Sequence, residues 1–263
     1  MDFTPQDVTV VLCAYQECEF LEECILSIKA QTVPVHLLIS TSTPIPFILD
    51  IANKYGIEVR INTVGGHAND YNFALEQVVT PLGILAHQDD KLMPTFIEES
   101  LKALNKAKDP LIAFTNYAEI HEGQVVKSNF MLGVKRFLLW PEKLPLLRNS
   151  IFHKRLLLRF GNTICHPTVT YVMDKLPPLR FQQRYRSNLD WDLWERMSWQ
   201  KGSFCYCPQI LFYHRMHKNQ ATSVLVEGGT ARSDEDLEML SRFWPTWFAK
   251  LLFRFYSKGA SFY

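Results

Sequence analysis

Three groups of residues in this sequence have the types and spacing that phosphate and hydroxyl chemistry requires. Asp89-Asp90 closes the apolar run Leu82 to His87, with Gln88 between. Two adjacent carboxylates beside buried sequence are costly unless a cation neutralises them, and a hard divalent ion would do so. A departing diphosphate needs such an ion to bridge its oxygens and offset the developing charge. A solvated turn after a strand is the competing reading. Asp190-Trp191-Asp192-Leu193-Trp194-Glu195-Arg196 opens a helical pattern. Asp190 there is either a cap favoured by the helix dipole or a general base for an acceptor hydroxyl. His214-Arg215-Met216-His217 follows the last strand candidate. His217 suits a metal or a diphosphate and Arg215 a phosphate, unless both are structural. Tyr15 ends the first strand candidate, where a ring either stacks on a nucleobase or packs.

The elements that must position these residues alternate. Val8 to Ala14 is a continuous apolar run rich in β-branched residues, as in a strand buried on both faces. Strand candidates Val35 to Ser40, Ile57 to Ile61, Leu82 to His87 and Leu111 to Asn116 follow. Between them lie helical patterns at Glu19 to Gln31, Ile48 to Tyr55, Asn69 to Val78 and Pro94 to Ala107. Such alternation predicts a mostly parallel central sheet with helices on both faces. Ligands of these sheets sit beyond the carboxyl ends of the strands, where the Ser/Thr turn at Ser40 and Gln88-Asp89-Asp90 both fall. Farther on, Val169 to Met173 reads as a strand, Asp190 to Gln200 as a helix, and Phe204 to Tyr213 as an edge-like strand containing Pro208. Val125 to Arg159 is loop-and-helix and basic, with Glu142 its one acid.

The chain has 263 residues, 47% of them apolar, enough for one large α/β domain with a small appendage. Its formal net charge of +1 gives no reason to expect a nucleic-acid partner. Six cysteines lack paired zinc-type spacing and read as free thiols of a reducing compartment. The N-terminus lacks the charged and apolar regions of a signal peptide, so a cytoplasmic location is expected.

In this order the features resemble glycosyltransferase family 2. The resemblance rests on Val10-Val11-Leu12-Cys13-Ala14-Tyr15-Gln16, Gln31-Thr32, His87-Gln88-Asp89-Asp90 with Pro94, Leu189-Asp190-Trp191-Asp192-Leu193-Trp194, and Arg215-Met216-His217 with Ser223. It implies the GT-A fold over residues 1–225, with a nucleotide-binding half to about 116 and an acceptor-binding half beyond. Residues 226–263 would form a C-terminal helical segment. Carried over residue by residue, Asp90 would hold Mn2+ or Mg2+ with His217, and Asp89 would assist at the ribose or a metal-bound water. Asp190 would be the base. Cys13, Ala14, Tyr15, Thr41, Asp70 and Asn72 would line the nucleotide. The chain departs from the family where Ser40-Thr41-Ser42-Thr43 replaces Asp-Asp-Gly-Ser, Tyr71 replaces a basic residue, and Leu189 replaces Glu. Asp70 is expected to substitute for the missing carboxylate.

The resemblance implies inverting transfer of a sugar from a nucleotide donor, a UDP-sugar favoured, to a hydroxyl of a saccharide or polyprenyl-diphosphate-linked acceptor. Bacterial surface-polysaccharide synthesis is the expected setting, and a catalytically silent scaffold is the alternative. A pyrophosphorylase would need a Gly-rich basic loop after the first strand, where Tyr15-Gln16-Glu17 stands. The tail carries Leu237, Leu240, Trp244, Trp247, Leu251 and Phe255 at helical spacing, with Arg242, Lys250, Arg254 and Lys258. Pro245 predicts a break into two helices. Their apolar side either lies in the inner membrane surface or docks on the domain.

Overall fold

The first strand, β1 (Val8–Ala14), owes its position to its alternation of faces. Val8, Val10, Leu12 and Ala14 join one core with α1 (Leu21–Lys29), while Val11 joins the core on the opposite face. Only a strand covered by helices on both sides can bury every residue in this way. The computed structural model describes residues 2–144, 148–176, 179–217 and 230–260. After α1 come β2 (His36–Thr41), α2 (Pro46–Tyr55), β3 (Glu58–Ile61), α3 (His67–Glu76) and β4 (Leu82–His87). Next are β5 (Lys91–Leu92), α4 (Phe96–Asn105), β6 (Pro110–His121), β7 (Gln124–Val126), α5 (Phe130–Leu139) and α6 (Ile151–Leu158). β8 (Val169–Val172), α7 (Leu189–Ser198), β9 (Ser203–Met216), α8 (Thr230–Ser241) and α9 (Thr246–Ala260) complete the chain.

One sheet runs in the order β3-β2-β1-β4-β8-β6-β9-β5, with β7 paired to β6. Strands β1, β2, β3, β4, β6 and β9 share a direction, and β5, β7 and β8 oppose it. The sheet is therefore mostly parallel, as expected. Helices α1, α2 and α4 cover one face, and α3, α6, α7, α8 and α9 the other. No helix among the described residues is long and apolar enough to cross a membrane.

The turn before α3 needs its two glycines. Gly65 and Gly66 have φ of +68° and +96°, where a side chain is strained. That turn aims the first helical turns of α3 back over the strand ends.

β9 pairs with β6 along its length and with the two-residue β5 only at Phe212 and Tyr213, so the stretch that contains Pro208 is edge-like, as expected. Pro208 is tolerated because the β6–β9 register shifts there, from Thr115↔Cys207 to Asn116↔Ile210, leaving Pro208 and Gln209 as a bulge.

The tail breaks at Pro245, and most of its apolar side docks on the domain, with Trp247 and Leu251 left exposed. Met239, Leu240 and Ala249 are buried in the core, and Trp244 Nε1 donates to the Arg159 carbonyl at 2.7 Å. Arg242 Nη1 donates to Asp192 Oδ1 at 2.8 Å and to Glu195 Oε2 at 3.3 Å. Asp192 is fully buried, so Arg242→Ala leaves a buried carboxylate with Arg196 alone. We expect a loss of about 3 kcal/mol in urea unfolding at unchanged m-value. The side chains of Phe255 and Lys258 and the whole of Ser223 lie outside the described residues.

Candidate active site

Parallel register lines up the strand ends. Cys13 is level with Ser40 and His87, Ala14 with Thr41, and Thr41 with Ile61. Tyr15, the Ser/Thr turn and Gln88-Asp89-Asp90 therefore emerge on one rim. Gln88 holds two of these segments together. Its Oε1 accepts from Tyr15 N at 3.0 Å, and its Nε2 donates to the Tyr15 carbonyl at 2.8 Å. The Tyr15 ring stays exposed, as a stacking surface must.

β5 brings the end of β9 against the carboxylate pair. His214 Nδ1 lies 2.9 Å from Asp90 Oδ1, which also accepts from Arg215 N at 2.9 Å. Arg215 Nε donates to the Asp89 carbonyl at 2.8 Å, and its guanidinium lies 4.0 Å over the Phe20 ring. His217 Nε2 lies 2.9 Å from Asp89 Oδ2. Burial alone would raise the Asp89 carboxyl, but the His217 hydrogen bond and the nearby His87 and His214 hold it below its usual value. Burial likewise works against a charged His214, and Asp90 overcomes it, raising the imidazole.

The second Asp90 oxygen, Oδ2, is buried and has no hydrogen-bond partner. His87 Nδ1 stands 3.9 Å from it. Atoms of His87, Asp89 and Asp90 lie within 4.8 Å of one another. An unpartnered buried carboxylate oxygen is expensive, and a cation beside it removes that cost. Burial lowers the His87 pKa, favouring the neutral ring that a metal needs. The Tyr71 hydroxyl, 3.2 Å from Nε2, occupies the other nitrogen. Two carboxylates and one imidazole fit Mn2+ or Mg2+.

Asp190 stands apart from this group, in the first turn of α7. Asn162 Nδ2 donates to its Oδ2 at 2.6 Å and Trp191 N to its Oδ1 at 2.8 Å. Burial raises its pKa against both hydrogen bonds. Asp192, two residues on, points to Arg196 and Arg242 instead, so only Asp190 of this pair is available for chemistry. Tyr71 lies between the carboxylates. Its ring stacks on His87 at 5.5 Å and meets His166 edge-on at 4.7 Å. Burial, then Cys13, Asp190, Asp89 and Asp90, push its hydroxyl well above the usual value.

The Ser/Thr turn is not without a carboxylate. Asp70 Oδ2 accepts from Ser42 Oγ at 3.0 Å, and its Oδ1 from Asn62 Nδ2 at 2.8 Å. The Asn72 amide donates to the Phe181 carbonyl and accepts from Phe181 N, both at 2.9 Å, and the Phe181 ring packs on Tyr71 at 5.2 Å.

Residues 9–168 match the family described as Glycosyl transferase family 2. The chain belongs to that family. It is 27% identical over 237 residues to an uncharacterized glycosyltransferase of Haemophilus influenzae, covering 82% of this chain and 68% of the relative. Among solved structures it resembles S. aureus TarS 1-349 in complex with UDP-GlcNAc, with a TM-score of 0.63 and 14% identity. That match covers 92% of this chain and 72% of TarS 1-349. It also resembles the mannosyltransferase PcManGT from Pyrobaculum calidifontis, in complex with GDP-Man and Mn2+. There the TM-score is 0.60 at 11% identity, over 99% and 78% of the two chains. The two likenesses concern the fold, which is the expected GT-A arrangement.

Within this family 2 scaffold, Cys13, Ala14, Tyr15, Thr41, Asp70, Asp89 and Asp90 gather at one rim, with Asp190 beyond Tyr71. His217 touches Asp89 rather than Asp90, and the nitrogen grouped with the two carboxylates is that of His87. His87, Gln88, Tyr71 and His214 stand inside or beside the quoted motifs, but the sequence reading gave them no role; adjacency to the carboxylates was the available signal. The basic stretch is also not one patch. Lys154 is buried on the carbonyls of Gln200 and Gly202, and Arg155 pairs with Glu195.

Proposed function

We propose that this protein transfers a sugar from a nucleoside-diphosphate sugar, a UDP-sugar, to a hydroxyl of a saccharide or polyprenyl-diphosphate-linked acceptor, with inversion. The carrying observation is the buried, unpartnered Asp90 Oδ2 beside His87 and Asp89, set apart from a second, half-buried carboxylate, Asp190. In this reading residues 1–116 serve the donor, and 117–225 the acceptor. Tyr15 stacks on the base, and Asp70 with Ser42 reads its edge. His87, Asp89 and Asp90 hold Mn2+ or Mg2+, which supplies charge for a departing diphosphate. His214 and His217 hold the two carboxylates in place.

Asp190 accepts the proton of the acceptor hydroxyl as that oxygen attacks the anomeric carbon opposite the diphosphate. One bond forms as one breaks, so the configuration inverts. Asn162 and the Trp191 amide keep the Asp190 oxygens aimed during the transfer. Surface-polysaccharide synthesis in bacteria is the setting that this acceptor class implies.

Thermal shift with UDP, GDP, dTDP and CMP, with and without manganese, tests the assignment. We expect UDP to stabilise the protein only when manganese is present, and Asp70→Ala to weaken that shift. Equal affinity in Asp70→Ala would remove Asp70 from the base-reading role. No shift with any nucleotide on folded protein would leave a silent scaffold.

A further inference from the structure

Helix α5 engages the domain with one face and shows apolar side chains on the other. Leu132, Lys135, Arg136 and Leu139 form the inner stripe at helical spacing. Leu132 and Leu139 are buried, Lys135 Nζ donates to the Tyr117 hydroxyl at 2.7 Å, and Arg136 Nη2 donates to the Tyr117 carbonyl at 2.9 Å. The opposite stripe is Phe130, Val134 and Phe137, with the two phenylalanines 78% and 77% exposed. A surface helix of a soluble domain carries polar residues on that side.

The apolar surface continues beyond α5. Trp140, Ile151 and Phe152 are exposed, Phe152 at 70%. His153 Nε2 stands 2.8 Å from a Glu142 carboxylate oxygen, both side chains buried, so Trp140 and Phe152 both sit within two residues of the contact between their two segments. Glu142 is the only acid between residues 125 and 160, and it is fully buried. Among the described residues of this stretch, the exposed charges are Lys127 and Lys143.

We infer that this face rests on an anionic lipid surface. Exposed aromatics without an anion among them, flanked by lysines, match a bilayer interface in both apolar burial and charge. The tail offers less, because most of its apolar side is docked on the domain and only Trp247 and Leu251 of its described large apolar residues are exposed. The inner stripe of the same helix holds Tyr117, whose ring stands 6.4 Å from His214 beside Asp90. One helix thus joins the lipid-facing surface to the candidate active site. The inference deepens the acceptor assignment and rests on it only for what the bilayer presents.

Flotation of the full chain with vesicles of phosphatidylcholine, with and without phosphatidylglycerol, tests membrane binding without turnover. The wild type is expected to float with the anionic vesicles. Phe130→Ser/Phe137→Ser should lower the bound fraction about tenfold or more, and Lys127→Glu/Lys143→Glu should also release it. Trp247→Ser/Leu251→Ser, on the exposed side of α9, should float like the wild type. Nucleotide-dependent thermal shifts of each variant report folding and the donor site separately. A wild type that stays at the bottom of the gradient overturns the inference, as does an aromatic variant that floats equally. A wild-type dimer that the aromatic variant splits, with neither floating, would make this face a contact between copies. Flotation without any nucleotide binding would sink the glycosyl-transfer reading and leave the lipid surface standing.

Discussion

Asp190→Asn is expected to reduce turnover by roughly two to four orders of magnitude while leaving nucleotide binding as in the wild type. The substitution keeps size and an acceptor oxygen for Asn162, but removes the negative charge that position 190 offers to a hydroxyl proton. Binding is read by thermal shift and chemistry by single-turnover transfer, so the two effects separate. A pH profile adds a second readout. A base works deprotonated, and activity falls as pH drops through its pKa. Burial raises the pKa of Asp190, so the acid limb of kcat/KM should begin above the range of an exposed aspartate. A variant with wild-type turnover would assign the proton transfer to another group.

Asp90→Asn should abolish the manganese-dependent part of nucleotide stabilisation and lower turnover by roughly two orders of magnitude or more. The wild-type carboxylate accepts from His214 and Arg215 N with one oxygen and leaves the other unpartnered. An amide can keep the first arrangement but contributes no charge at the second. The apo protein should lose little stability, because one buried uncompensated oxygen is replaced by a neutral group. Manganese titration of apo wild type and variant, followed by thermal shift, checks both halves of this expectation. Metal-dependent stabilisation that survives in the variant would move the cation away from Asp90.

The readable part of this chain is the part where burial imposes a pattern. β1 and β4 match their expected limits, because runs such as Val8–Ala14 have no stable place except the middle of a covered sheet. Asp89-Asp90 and Asp190 were legible as chemistry because acids beside such runs need a reason. β5 was not, since Lys91-Leu92 is too short to show a period. β7 left a weak trace. Glu122 and Gly123 both take positive φ, +49° and +80°, a hairpin turn in which Asn or Asp is the commoner first residue. His214 gave no spacing signal because its partner Asp90 lies 124 residues away, and His87, though close to Asp89 and Asp90 in the chain, reads as the end of its strand. Asn72 shows what a motif leaves out. It was carried over by its place in a motif, whereas its amide fastens Phe181.

The irregular stretch from Pro208 to Leu211 sets where counting begins. Side chains on a strand alternate between faces, so the number of residues from Phe212, where the register becomes regular, to the end of β9 decides which of them meets the carboxylates. As built, His214 offers its ring to Asp90, while Arg215 gives Asp90 its amide and reaches past it to Glu23. The register shifts once more between Asn116↔Ile210 and Tyr117↔Phe212 and is regular from there, so deleting Tyr213 would put the guanidinium where the imidazole stands and turn the imidazole away. Removing two residues beyond Phe212 would restore the parity. Length changes beyond Phe212 are thus permitted in even steps and forbidden in odd ones, a rule set by the pleat, whereas the irregular stretch before it can absorb a single residue.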